Sequence, residues 1–132
     1  MMLSWIERHP WMLNTLLWLL TAMTLGATLV PQEQIQQHDL FQYDKAGHFL
    51  IFGVWTFLLG LALHLKGQRP LPYLAIFLAG SLFGLTIEVL QETLPVNRTM
   101  SLADWIADSF GSLVAVLLLR RWLGKKRDNF RQ

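Results

Sequence analysis

The sequence predicts an all-α integral membrane protein, a bundle of four transmembrane helices with both termini on the cytoplasmic side. Three observations lead there. Apolar residues make up 53% of the chain and charged residues only 15%, whereas soluble domains carry roughly 25% charged residues. The apolar residues gather in four runs, each close to the roughly 20 residues that cross a hydrocarbon core of about 30 Å. The basic residues alternate in density from one connection to the next, which fixes the orientation. At 132 residues the chain makes a single domain, 1–132, with no room for a second folding unit.

The first run, about 11–30, holds no charge between Trp11 and Val30, and Pro31 ends it because proline cannot continue a helix. It exceeds the roughly 7–15 apolar residues of a signal-peptide core, so an uncleaved anchor is expected. The second, about 46–65, lies between Lys45 and Lys66, with His48 and His64 as its titratable groups. The third, about 71–92, is uncharged until Glu88, and the fourth, about 101–119, is interrupted by Asp104 and Asp108. All four are expected as helices, since an open strand edge leaves backbone groups unsatisfied in lipid. The Gln-rich stretch from Pro31 to Tyr43 reads as a connecting loop.

Orientation follows from Lys and Arg in the short connections. Arg8 precedes the first helix, Lys66 and Arg69 separate the second from the third, and six more basic residues from Arg120 to Arg131 follow the fourth. Only Lys45 and Arg98 fall in the other two connections, a bias of nine against two. The C-terminal basic cluster is read as a topology signal. The chain has no cysteine, which excludes a disulfide scaffold and a thiolate metal site.

Topology turns scattered residues into a constellation. Asp44, Lys45 and His48 begin the second helix, Glu88, Gln91 and Glu92 end the third, Arg98 follows, and Asp104 and Asp108 open the fourth. All of these belong to the outer leaflet. Asp44 with His48 and Asp104 with Asp108 are i,i+4 neighbours on a helix face. Ser101, Asp104, Asp108, Gly111, Ser112 and Ala115 form a small polar stripe, and Gly80, Gly84 and Glu88 form another. Glycines four apart permit close helix approach, so an inward turn of both stripes brings Glu88 near Asp104 and Asp108. Asp44 and Asp104 also suit helix capping, Asp104 in a capping box with Ser101. Capping does not account for Asp108, a turn deeper, or for Glu88 and Glu92, at a helix end whose dipole repels anions. Glu88 needs a proton, a cation or a wet cavity. Glu92 is read as a solvated boundary residue and His64 as interfacial.

The same residues carry a resemblance. Asp44-Lys45-Ala46-Gly47-His48-Phe49 followed by Phe52-Gly53, and later Glu88-Val89-Leu90-Gln91, Arg98, Ser101-Leu102, Asp104, Asp108 and Gly111, resemble the two motifs of the VanZ-like membrane family. The resemblance spans about Tyr43 to Leu119. One departure is Asp108, where that family usually has Asn. The family takes its name from a protein that lowers susceptibility to the glycopeptide teicoplanin. The resemblance implies a multi-pass protein of the bacterial cytoplasmic (inner) membrane, close to cell-envelope chemistry and antibiotic resistance.

The reading expected from the sequence is an outward-facing polar site that binds an anionic lipid-linked cell-envelope molecule, with catalysis left open. Arg98, Lys45 and Gln91 are the candidate anion-binding residues, aided by the N-termini of the second and fourth helices. His48 and Glu88 are the candidate acid–base pair. Asp44 is expected to orient His48, and Asp104 and Asp108 to complete the polar wall. Membrane lipid, or a lipid-linked precursor, is the expected partner, with no nucleic acid and no cofactor. A metal is not expected, since a lone His with carboxylates fixes no metal and Lys45 and Arg98 oppose one. The oligomeric state is left open. The alternative is a non-enzymatic protein whose polar network only holds helices together or assists a partner in envelope stress or glycopeptide tolerance. For the orientation, a tag within 31–43 should be reached by reagents outside intact cells, and a C-terminal tag only once the membrane is opened.

Overall fold

A computed structural model describes residues 8–30, 44–67 and 70–129, with the side chains of 44 and 125–129 left aside. The Gln-rich stretch and Arg69 lie outside the described residues. Four helices follow in order: α1 (Pro10–Thr28), α2 (Asp44–Leu65), α3 (Tyr73–Thr93) and α4 (Leu102–Asn129). Each is long and apolar enough to cross a membrane, and no strand occurs among the described residues.

Local chemistry sets the ends. Pro10 opens α1 at a position where its missing N–H is not needed. Gly67, at φ 83°, closes α2 in the left-handed region, and its N–H reaches the His64 carbonyl at 3.1 Å. Leu94 leaves α3 in an extended conformation, as the residue before Pro95 must avoid the helical region. The fourth helix runs to Asn129, about ten residues past the expected end near Leu119. Apolar content marks where a helix leaves lipid, but Arg and Lys are good helix formers and favour a helix C-terminus. Nothing in that basic segment breaks the helix.

Hydroxyls inside the spans are satisfied locally. Thr21, Thr24 and Thr28 each donate to the carbonyl four residues back, at 2.8–2.9 Å. The outer surface is apolar: Trp18, Met23 and Leu74 are each at least 70% exposed, a surface whose natural solvent is lipid rather than water.

Helix α4 packs most extensively on α2 and next on α3, while α1 leans on α2. The α2–α4 approach is close because Gly53 and Gly111 face each other. A Cβ on Gly111 would collide with the Phe49 backbone, and one on Gly53 would lie 3.3 Å from the Gly111 carbonyl oxygen. On α3, Gly80 lies against Thr56 and Ser112, and Gly84 against Asp108. The glycine pair thus serves the close helix approach its spacing implies. Hydroxyl pairs cross the same seams, Thr56 to Ser112 at 2.9 Å and Ser81 with Ser109 at 2.7 Å. Toward the end where α2 finishes and α3 begins, Leu71, Ile76, Val116 and Leu119 form an apolar core. Helix α1 is tied to α2 by Leu13 against Leu61 and Ala62, and by the Trp55 indole N–H donating to Thr21 Oγ1 at 2.8 Å.

Gly111→Ala should lower unfolding stability in detergent by about 1–3 kcal/mol, because the added methyl has no room. Gly26→Ala, where a Cβ meets nothing within 4 Å, should change it by less than about 0.5 kcal/mol. Denaturant titrations of the two variants make the comparison.

Candidate functional site

The first turns of α2 and α4 and the last turn of α3 meet at one end of the bundle, where the fold collects its buried acids. Asp108 and Glu88 have no exposed surface, and Asp104 is also buried. His48, one turn into α2, presents Nδ1 to Asp108 Oδ1 at 2.9 Å. Its ring stacks on Phe52 at 6.3 Å between centroids and 14° between planes. One ligand-capable atom from each of His48, Glu88 and Asp108 lies within 4.8 Å of the others. The inward turn of the two small-residue stripes produces this cluster, since Gly84 leaves room for Asp108: a Cβ there would lie 2.7 Å from the Asp108 Cβ.

Glu88 is held in a way that spacing does not reveal. Its Oε2 accepts the backbone N–H of Ser101 at 2.7 Å. Ser101 is the residue just before α4, and its Oγ accepts the Asp104 N–H at 3.2 Å. This is half of the expected capping box; the other half, the bond back to the capping residue's own N–H, comes from Glu88 instead of Asp104. One turn later on α3, Glu92 is exposed and accepts the Met100 N–H at 2.8 Å. Two glutamates at a helix C-terminus are therefore tolerated because the incoming α4 chain offers amide donors. Asp104, freed from the box, lies 3.3 Å from Lys45 Nζ. Lys45 is largely exposed, so the pair is worth under about 1 kcal/mol.

Beside this cluster runs a groove of about 380 Å³ between α1, α2 and α3. Ile51, Phe52 and Ile87 form its apolar wall, Thr24 and Thr28 come from α1, and His48, Gln91 and Arg98 make its polar part. By the rise of α2 and α3, His48 and Gln91 lie toward the acidic end, and Arg98 belongs to the connection that leaves α3 there. Gln91 is buried and Arg98 partly so.

The expected site residues divide accordingly. His48, Gln91 and Arg98 line the groove. Glu88 and Asp108 stand behind His48, between helices, and Lys45 and Asp104 pair with each other. Of the expected acid–base pair, His48 and Glu88 are close in space, but only His48 borders the groove. Asp108 is the carboxylate on His48 Nδ1; the side chain of Asp44 lies outside the described residues. Three contributors escape the sequence reading. Thr24 and Thr28 on α1 face the groove, and their i,i+4 spacing in an uncharged run was the signal. The Ser101 amide carried none.

The chain matches the model of the VanZ/LLP1 family over residues 6–123. No curated protein and no solved structure matches it.

Replacing Glu88 by Leu should cost about 1–3 kcal/mol, the penalty for stranding the Ser101 N–H. Glu88→Gln keeps an acceptor and should cost less, and Ser101→Ala should cost about 1 kcal/mol through the lost cap. Denaturant unfolding in one detergent ranks the three.

Proposed function

The chain belongs to the VanZ/LLP1 family, and from that premise we propose that its groove holds an anionic lipid-linked molecule of the bacterial cell envelope. The observation that carries this reading is the change of character along one groove. Ile51, Phe52 and Ile87 suit a hydrocarbon chain, and Arg98, Gln91 and His48 suit a charged head group. An arginine fork matches phosphate oxygens, and Gln91 adds a neutral donor. Lys45, pointing at Asp104, adds positive potential rather than a direct contact.

The distribution of Lys and Arg supports an orientation in which this end of the bundle faces outward from the cytoplasmic membrane. In that orientation the head group lies in the outer leaflet, where envelope precursors are used. His48 is then the residue able to exchange a proton with the bound molecule. Asp108 on Nδ1 fixes the ring orientation. Glu88 helps set the charge behind the ring.

A second reading is favoured by the Ser101–Glu88 and Thr56–Ser112 bonds, which fasten helices together with no ligand involved. In that reading the polar network is structural, each bond adding about 1 kcal/mol between helices. The two readings separate on protein level and binding. Arg98→Gln and His48→Asn, the latter keeping an N–H donor for Asp108, should accumulate normally and lose the in-cell phenotype. In detergent, Arg98→Gln should weaken binding of a polyprenyl phosphate by about tenfold or more, the value of a charge-assisted hydrogen bond, and leave binding of the neutral polyprenol unchanged. Equal affinity for phosphate and alcohol in the parent chain would dismiss the head-group site. Loss of the protein itself in both variants would favour the structural network.

A further inference from the structure

The cluster of His48 at the groove with Glu88 and Asp108 buried behind it carries more than one acid–base residue requires. His48, Glu88 and Asp108 each offer a nitrogen or oxygen within 4.8 Å of the other two. They come from three different helices, and of the three Glu88 alone has a capping role, through Oε2. Glu88 is fully buried, and its Oε1 has no hydrogen-bond partner among the described residues. A buried carboxylate oxygen without a donor is expensive, and natural structures rarely leave one without a reason.

From this geometry we propose that His48, Glu88 and Asp108 form a binding site for a first-row divalent cation, of the Zn(II) or Mn(II) kind. One imidazole with two carboxylates is a borderline-to-hard donor set that suits these ions. Ligand atoms at about 2.0–2.2 Å from a common ion lie roughly 3.0–3.5 Å apart, so small side-chain rotations close the present spacing. Gly84 and Gly111 keep backbone-sized room beside Asp108 and α2, and the Ser101 amide on Glu88 Oε2 supplies the outer-shell hydrogen bond that ligating carboxylates need. The basic residues that argued against a metal are engaged elsewhere: Lys45 lies at Asp104, and Arg98 borders the groove rather than the triad. A cation here sits behind His48, at the back of the polar groove wall. It thereby goes beyond the lipid reading, and it can be measured with no lipid present.

The test uses the full chain in detergent, stripped with chelator and dialysed separately against Zn(II) and Mn(II). About one ion per chain should be retained for at least one metal, and unfolding should shift upward with its concentration. Glu88→Gln and Asp108→Asn keep side-chain shape and hydrogen-bonding capacity, and each should weaken retention by about tenfold or more. Glu92→Gln, outside the triad, should retain the ion as the parent does. No retention by the parent chain, or equal retention in both triad variants, would overturn the site. Polyprenyl phosphate binding measured in chelator keeps the outcomes distinct: if it persists while no metal is retained, only the metal site falls.

Discussion

Carboxylates with no exposed surface in an apolar bundle must find their donors within the chain, and the arrangement of α2, α3 and α4 follows from how Glu88 and Asp108 meet that demand. Glu88 takes an amide from the chain entering α4, and Asp108 takes the imidazole of α2. Each bond joins two helices, so the groups that are most costly to bury also set the relative rotation of the helices around them. Small residues make the approach feasible. Gly84 beside Asp108 and Gly111 against the Phe49 backbone bring the donors within reach, and any larger side chain there would separate the partners.

The four spans and their order could be read from the sequence because lipid imposes a simple requirement: a run of apolar residues of fixed length, with every backbone group satisfied in the helix. The inward stripes could be read as well, since Gly80, Gly84 and Glu88 fall on one face by spacing alone. The partners of the acids could not. Whether Glu88 meets a cation, a proton or an amide depends on how α4 approaches the end of α3, and that depends on Pro95, on Asn97 at positive φ and on the turn they build. Likewise the i,i+4 spacing in sequence points to Asp44 as the residue that orients His48 and leaves Asp108 to the polar wall. Only the crossing of α2 and α4 places Asp108 on Nδ1. The end of α4 was misjudged for a different reason: leaving the hydrocarbon and ending the helix are separate events.

Asp108 also shows how a single substitution redistributes a network. An asparagine at this place would offer His48 a neutral acceptor. The carboxylate found here gives the imidazole an acceptor with two oxygens, one of them on Nδ1. The groove then inherits that contact, because His48 is the member of the cluster that faces it.

The length of α4 has a mechanical meaning. Its 28 residues extend about 42 Å, well over the roughly 30 Å of hydrocarbon. The surplus lies at the basic end, with Arg120 and Arg121 as its first charges, while Asp104 with Lys45 marks the opposite end. Sliding the bundle one way drags guanidinium groups into the acyl layer, and sliding it the other way drags a half-wet ion pair. The helix therefore works as a bolt with a head at each end, and it fixes the depth at which the bundle sits in the membrane.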